Sequence, residues 1–302
     1  LARFLPALLV VGLLGGSAAA FAVTERLKLE RSPIFATHVG KVVSPATGRR
    51  VKIQFRVRKA DDLSLAIVDS KDRVVRALIS SRHVQAGPKK YAWNGTDDSG
   101  SFVPDGTYRP RIHLAAAHRT ILLPNPIVVD TKLPQISLTR TSLGVVSPDG
   151  DARHDYLTVF FQASEPVRAV LYANGRQALK LKSFKAHSLL WGRRNGMPTK
   201  PGAYRLQLRA IDMAGNLGPP TRVFRVRIRY IELGRHVIQS KAGRTFAVRV
   251  STDARFYYWR IGSRHGRVRG RRLVLAAGAS GRYELVVSER GHKARALLVV
   301  SP

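Results

Sequence analysis

Apolar and polar residues alternate in short runs along most of this chain. Val51, Ile53, Phe55 and Val57 interleave with Lys52, Gln54, Arg56 and Arg58, and Tyr204, Leu206 and Leu208 interleave with Arg205, Gln207 and Arg209. A period of two puts one set on a core face and the other in solvent, the pattern of a half-buried β-strand. Further runs at Leu63–Val68, Val74–Ile79 and Thr107–Leu114 are separated by turn-forming segments, among them Ser44-Pro45-Ala46-Thr47-Gly48, Asp69-Ser70-Lys71-Asp72 and Asn94-Gly95-Thr96-Asp97-Asp98-Ser99-Gly100. No long helical period competes with them beyond the N-terminal segment. The chain therefore reads as all-β, built of tandem β-sandwiches.

A glycine, any residue and a tyrosine open three of the alternating runs: Gly106-Thr107-Tyr108, Gly202-Ala203-Tyr204 and Gly281-Arg282-Tyr283. The repetition goes further, because Val42-Val43-Ser44-Pro45 returns about 103 residues on as Val145-Val146-Ser147-Pro148, and Trp93 returns as Trp191. This predicts sandwich domains at 35–130, 134–232 and 233–302, with a junction at Asp130-Thr131-Lys132-Leu133-Pro134, where proline stops a strand. The last domain is shorter, with strands expected at Thr245–Val250, Phe256–Ile261, Arg271–Leu275, Tyr283–Val287 and Lys293–Val300. Trp93 and Trp191 are expected to fill sandwich cores. Tyr108, Tyr204 and Tyr283 are expected at corners, each hydroxyl tying down nearby backbone.

The first 31 residues differ from all of this. Phe4–Val23 is uncharged over twenty residues, and at about 1.5 Å per helical residue it would span roughly 30 Å, a hydrocarbon core. Residues 1–31 are expected to be a transmembrane or signal-anchor helix with a short polar stem. The competing reading is a cleaved signal peptide, since Ala20-Phe21-Ala22 has the small-x-small pattern. Anchoring is favoured because the run is longer than an ordinary signal core. Arg26, Lys28 and Arg31 follow the run and only Arg3 precedes it, which taken alone would place the C-terminal side inside; the sandwiches are nonetheless expected outside the cytoplasm, anchored in one reading and secreted in the other.

Charge changes the picture most. The chain carries 52 Lys+Arg against 19 Asp+Glu, a formal net charge of +33, which either draws the protein towards polyanions or merely coats the solvent faces of its strands, over which the cations are dispersed. Anionic cell-wall polymer, lipid headgroups or a protein partner are the expected contacts, with nucleic acid as a further candidate. The densest run holds Arg264, Arg267, Arg269, Arg271 and Arg272, just after Phe256-Tyr257-Tyr258-Trp259. Arginines beside aromatics can bind a single-stranded nucleic acid by stacking and neutralisation; a solvated hairpin next to strand core is the plainer reading and is preferred. The chain has no cysteine, which excludes a thiolate nucleophile, a disulfide framework and cysteine-ligated metals. Its nine histidines form no H-x-H or H-x-x-x-H pair, and neither G-x-S-x-G nor a P-loop occurs.

Three stretches of the first domain, Asp69–Leu78, Tyr91–Gly100 and Val103–Tyr108, together resemble the immunoglobulin-like domain of the flagellar hook-capping family. That family carries a D-x-x-G-R-x-V hairpin followed by W-x-G-x-D-x-x-G-x-x-x-x-x-G-x-Y. Here Lys71-Asp72 stands in the hairpin turn where the family usually has glycine. The segment Ser147-Pro148-Asp149-Gly150-Asp151-Ala152-Arg153-His154-Asp155 is similar to the S-P-N-G-D-G-x-x-D opening of related surface-protein modules. The resemblance implies an Ig-like fold and a surface location, and leaves the ligand open.

Asp149, Asp151 and Asp155 have the spacing of oxygen ligands in a calcium loop, with Gly150 for the turn; a plain polar turn is the preferred account, so no cofactor is expected unless calcium. Asp97, Asp98 and Asp105 form a second acidic group that turn chemistry already explains. The overall expectation is a non-catalytic envelope protein whose Ig-like modules act as a stalk, adhesion or binding element. The alternatives are a module for DNA or acidic polysaccharide, and an accessory carbohydrate-binding module. The last would need Tyr257 and Trp259 exposed as an aromatic platform.

Overall fold

A computed structural model of the chain describes Ser17 and residues 31–302. Apart from Ser17, the apolar run Phe4–Val23 and the stem behind it as far as Glu30 lie outside the described residues. Among the described residues no helix is long and apolar enough to cross a membrane. Everything from Ile34 onward is β-structure with two short 3-10 turns, at Pro45–Thr47 and Arg193–Asn195.

The described chain divides into two compact units, up to Thr131 and from Lys132. The first has a three-stranded sheet in the order Ile34–Val39, Val51–Val57, Gly87–Trp93. A larger sheet faces it, in the order Val42–Val43, Ile127–Val129, Gly106–Leu114, Asp61–Val68, Val74–Val84, with Arg119–Leu122 paired to Gly106–Leu114. The first strand thus changes sheet at Gly40 and pairs in parallel with the last, Val42 against Val128 and Val43 against Val129. That crossing closes an Ig-like sandwich.

The second unit contains the same arrangement twice. A sheet of Ile136–Thr141, Tyr156–Ala163 and Ser188–Gly192 faces one of Val145–Val146, Phe224–Ile228, Gly202–Ile211, Arg168–Ala173 and Arg176–Lys180. Next, Ile231–Leu233, Thr245–Thr252 and Arg272–Ala276 face Val237–Lys241, His292–Ser301, Gly281–Glu289, Tyr257–Ile261 and Arg264–Val268. Both repeat the parallel closing pair, Val145–Val146 on Arg227–Ile228 and Val237–Lys241 on Leu297–Ser301. The last sandwich looks irregular in sequence because Ile231–Leu233 is only three residues long and the edge strand Val237–Lys241 carries little alternation.

Each sandwich has its own core, and the alternation explains it. Val51, Ile53, Phe55 and Val57 are buried, while Lys52 and Arg56 between them face solvent. Trp93 and Trp191 are fully buried in the first two cores. Each lies near the tyrosine of its Gly-x-Tyr signature, Trp93 at 5.4 Å from Tyr108 and Trp191 at 6.4 Å from Tyr204 between ring centroids. The three tyrosine hydroxyls do one job three times, donating to a carbonyl four residues upstream: Tyr108 to Pro104 at 2.8 Å, Tyr204 to Lys200 at 2.9 Å and Tyr283 to Ala279 at 3.0 Å. The ring fills the edge of the sandwich and the hydroxyl fixes the turn that starts the strand.

Candidate functional site

The equivalent Val-Val-Ser-Pro segments part company after proline. In the first sandwich Pro45–Thr47 is a 3-10 turn closed by Gly48. In the second, Ser147–Asp155 makes a longer loop before Tyr156, closed by the Ser147 N–H donating to the His154 carbonyl at 2.9 Å. Carboxylates organise it. Asp155 is buried, and its two oxygens accept the N–H groups of Gly150 and Ala152, each at 2.7 Å. Asp149 Oδ1 accepts the Asp151 N–H at 3.1 Å, and Asp151 Oδ1 accepts the Arg153 N–H at 2.7 Å. Ala152 (φ 67°) and His154 (φ 46°) sit in the left-handed region, which L-residues adopt at a cost. These side-chain hydrogen bonds offset that cost.

A hairpin of the third sandwich brings a fourth acid to this loop. Strands Gly281–Glu289 and His292–Ser301 are joined by Arg290 (φ 41°) and Gly291 (φ 85°), the positive pair that a tight primed turn requires. Glu289 precedes the turn and is only 5 % exposed. One carboxylate oxygen from each of Asp149, Asp151 and Glu289 lies within 4.8 Å of the other two. Among the described residues, Asp149 Oδ2 and Glu289 Oε2 are buried and receive no hydrogen bond. Arg290 Nε stands 3.8 Å from the other Glu289 oxygen, Oε1.

Asp253, from the loop after Thr245–Thr252, adds a further buried carboxylate. His154 Nδ1 is 3.5 Å from its Oδ2, and Arg153 Nη1 donates to its backbone carbonyl at 3.4 Å. Burial raises the Asp253 pKa. Glu289 is pushed up to about 7, by burial first and then by the negative charges of Asp149, Asp253 and Asp151. The cluster therefore offers hard oxygen donors of one sign, preassembled from two sandwiches.

The sequence-based set Asp149, Asp151 and Asp155 is divided by this geometry. The first two point their oxygens at Glu289, whereas Asp155 spends both of its oxygens on the loop backbone. No spacing rule connects Glu289 or Asp253 to the loop, because packing of one sandwich on the next brings them there. The other acidic group holds turns: Asp97 Oδ1 accepts from Ser99 and Ser101, Asp98 Oδ1 from the Ala77 N–H, and Asp105 Oδ1 from Thr131.

The basic run lies elsewhere on the third sandwich. Arg264, Arg267, Arg269, Arg271 and Arg272 are all exposed. Arg264 and Arg267 belong to the strand paired with Tyr257–Ile261, and Arg272 opens a strand of the opposite sheet. Arg264 donates to the Ala276 carbonyl at 2.9 Å and lies 6.0 Å from the Trp259 ring centroid, while Arg267 sits 4.8 Å over Phe256.

The exposed Tyr257–Trp259 platform that a carbohydrate-binding module would need is not presented. Tyr257 is fully buried, and half-buried Trp259 packs on the third core with its indole across Gly266, where an added Cβ would come within 2.8 Å of Nε1. Their shared parity is the inward one. The exposed rings are instead Phe256 and Tyr258, 38 % and 51 % exposed and edge to face at 6.0 Å.

Residues 40–117 match the FlgD Ig-like domain. No curated protein matches the chain. Similar solved structures include the Bacteroides ovatus mixed-linkage glucan utilization locus protein SGBP-B in complex with a mixed-linkage heptasaccharide, at 13 % identity and a TM-score of 0.25, covering 88 % of this chain and 67 % of that one. The native form of E. coli alpha-2-macroglobulin aligns at 9 % identity and a TM-score of 0.26, over 89 % of this chain and 22 % of that one. The human OSCAR ligand-binding domain aligns at 14 % identity and a TM-score of 0.30, over 62 % of this chain and 96 % of that one.

Proposed function

We propose that this chain is a non-catalytic element of a bacterial cell envelope, in which tandem Ig-like modules act as a stalk or binding element outside the cytoplasm. The uncharged run Phe4–Val23 would hold it to the membrane. Its basic surface would rest on anionic wall polymer or lipid headgroups. The observation that carries the reading is the exposed arginine group of the third sandwich, Arg264, Arg267, Arg269, Arg271 and Arg272, in a chain with a net charge of +33. Exposed arginines are free to neutralise a polyanion without desolvating a core.

The test is retention of the full chain on purified envelope and on DNA across a salt series. Retention on envelope that salt releases supports the reading, and binding to neither removes it. A second reading, binding of single-stranded nucleic acid, is favoured by Phe256 and Tyr258 standing exposed beside Arg267. Bases stack on such rings while arginine meets the backbone. Preference for DNA over envelope, lost when both rings are replaced by alanine, would select it.

A further inference from the structure

We propose that Asp149, Asp151 and Glu289, with Asp253 beside them, form a calcium site that ties the second sandwich to the third. The chain holds 52 Lys+Arg and 19 Asp+Glu, so an acid seldom wants for a cationic neighbour. Yet four of those acids gather at one place, and among the described residues the buried oxygens Asp149 Oδ2 and Glu289 Oε2 receive no hydrogen bond. An unpaired buried carboxylate oxygen is costly. Glu289 is only 5 % exposed, and its carboxylate is aimed at the Asp149 and Asp151 oxygens within 4.8 Å.

The surrounding cations do not fill this gap. Arg290 approaches Glu289 Oε1 at 3.8 Å, His154 approaches Asp253 Oδ2 at 3.5 Å, and the Arg153 guanidinium donates to the Asp253 backbone carbonyl and not to a carboxylate. Calcium accepts six to eight oxygens in flexible geometry, from carboxylates, carbonyls and water. Three or four convergent carboxylates on loops fit that demand better than the strict octahedron of magnesium. Asp155 supports the site from behind, since its bonds to Gly150 and Ala152 set the loop that aims Asp149 and Asp151. None of these acids belongs to the exposed arginine group of the third sandwich.

Calorimetric scans of the full chain in EDTA, in 1 mM calcium chloride and in 1 mM magnesium chloride (concentrations on the order of ordinary extracellular calcium sites) test it. Calcium should raise the unfolding midpoint of the 132–302 unit and leave that of the first unit alone, with little effect of magnesium. Glu289→Gln and Asp149→Asn should each weaken calcium binding, measured by titration calorimetry, by about ten-fold or more. Glu289→Gln should also reverse sign with conditions. In EDTA it removes like-charge repulsion and raises the midpoint, whereas in calcium it falls below the parent. A structural role alone would give no such reversal. Asp69→Asn, in a turn of the first unit, serves as the control and should bind calcium like the parent. The proposal is overturned if calcium neither binds nor shifts the midpoint, as would follow if the acids merely share a proton. It is equally overturned if both variants bind calcium as the parent does.

Discussion

Tyr230 and His292 lie face to face, their ring centroids 3.5 Å apart and their planes 4° from parallel. Tyr230 belongs to the core of the second sandwich and donates its hydroxyl to the Thr199 carbonyl at 2.8 Å. His292 is the residue opposite Glu289 in the hairpin of the third. The stack thus sets the hairpin that delivers Glu289 to the acidic cluster. His292→Ala should lower the stability of the 132–302 unit by about 0.5–1.5 kcal/mol, the range for an aromatic pair. His292→Phe should restore most of it. Urea unfolding followed by circular dichroism measures both, and equal midpoints for parent and alanine variant would mean that the rings contribute nothing.

The two buried tryptophans are equivalent in place and differ in bonding. Trp93 Nε1 donates to the Thr96 carbonyl at 2.8 Å, whereas the buried Trp191 Nε1 has no hydrogen-bond partner among the described residues. Phenylalanine at either position opens a similar cavity. At position 93 it also strands a carbonyl, a difference of about 1–2 kcal/mol. Trp93→Phe should therefore destabilise its unit by more than Trp191→Phe destabilises the other. Denaturant titrations of the two variants give the comparison, and the reverse order would contradict it.

What the sequence makes legible is whatever depends on near neighbours. The alternation of Val51, Ile53, Phe55 and Val57 follows from the pleat, and the bond from each Gly-x-Tyr hydroxyl spans only four residues. The calcium-like spacing of Asp149 and Asp151 is local too, and the loop presents both. Glu289 and Asp253 are not local. They reach the loop through the stacking of one sandwich on another, which no spacing encodes. Tyr257 and Trp259 show a different limit: parity tells which residues share a face and leaves open whether that face is the core. The core claims theirs, so Phe256 and Tyr258 face out.

Asp97 ties its turn together. Its Oδ1 accepts the Ser99 hydroxyl at 2.6 Å and the N–H groups of Ser99 and Ser101 at 3.0 and 2.9 Å. The Ser99 hydroxyl first, and then these N–H groups, hold its carboxyl below the usual value of 3.8. A depressed folded-state pKa contributes stability that is fully present above the unfolded value and is lost as pH falls through the folded one. NMR titration should show Asp97 ionising below 3.8, and Ser99→Ala should move it upward. Acid unfolding of Asp97→Asn should be less steep below about pH 4, and an unshifted Asp97 resonance would refute the assignment.

The arginine group makes a quantitative claim about salt. Arg264, Arg267, Arg269, Arg271 and Arg272 are exposed, while Leu273 beside Arg272, and Tyr257 and Ile261 on the strand paired with Arg264–Val268, are buried instead. Replacing all five by serine should therefore leave the unfolding midpoint nearly unchanged. Binding to a single-stranded polyanion is another matter. Each phosphate neutralised contributes about 0.7 to the slope of log affinity against log salt, so losing five contacts should flatten that slope by about 3.5. Fluorescence anisotropy of a labelled oligonucleotide across a salt series reads this directly for parent and variant. A slope that stays the same, in a variant that still folds, would show that the positive charge acts through the whole surface and that this group has no special part in it.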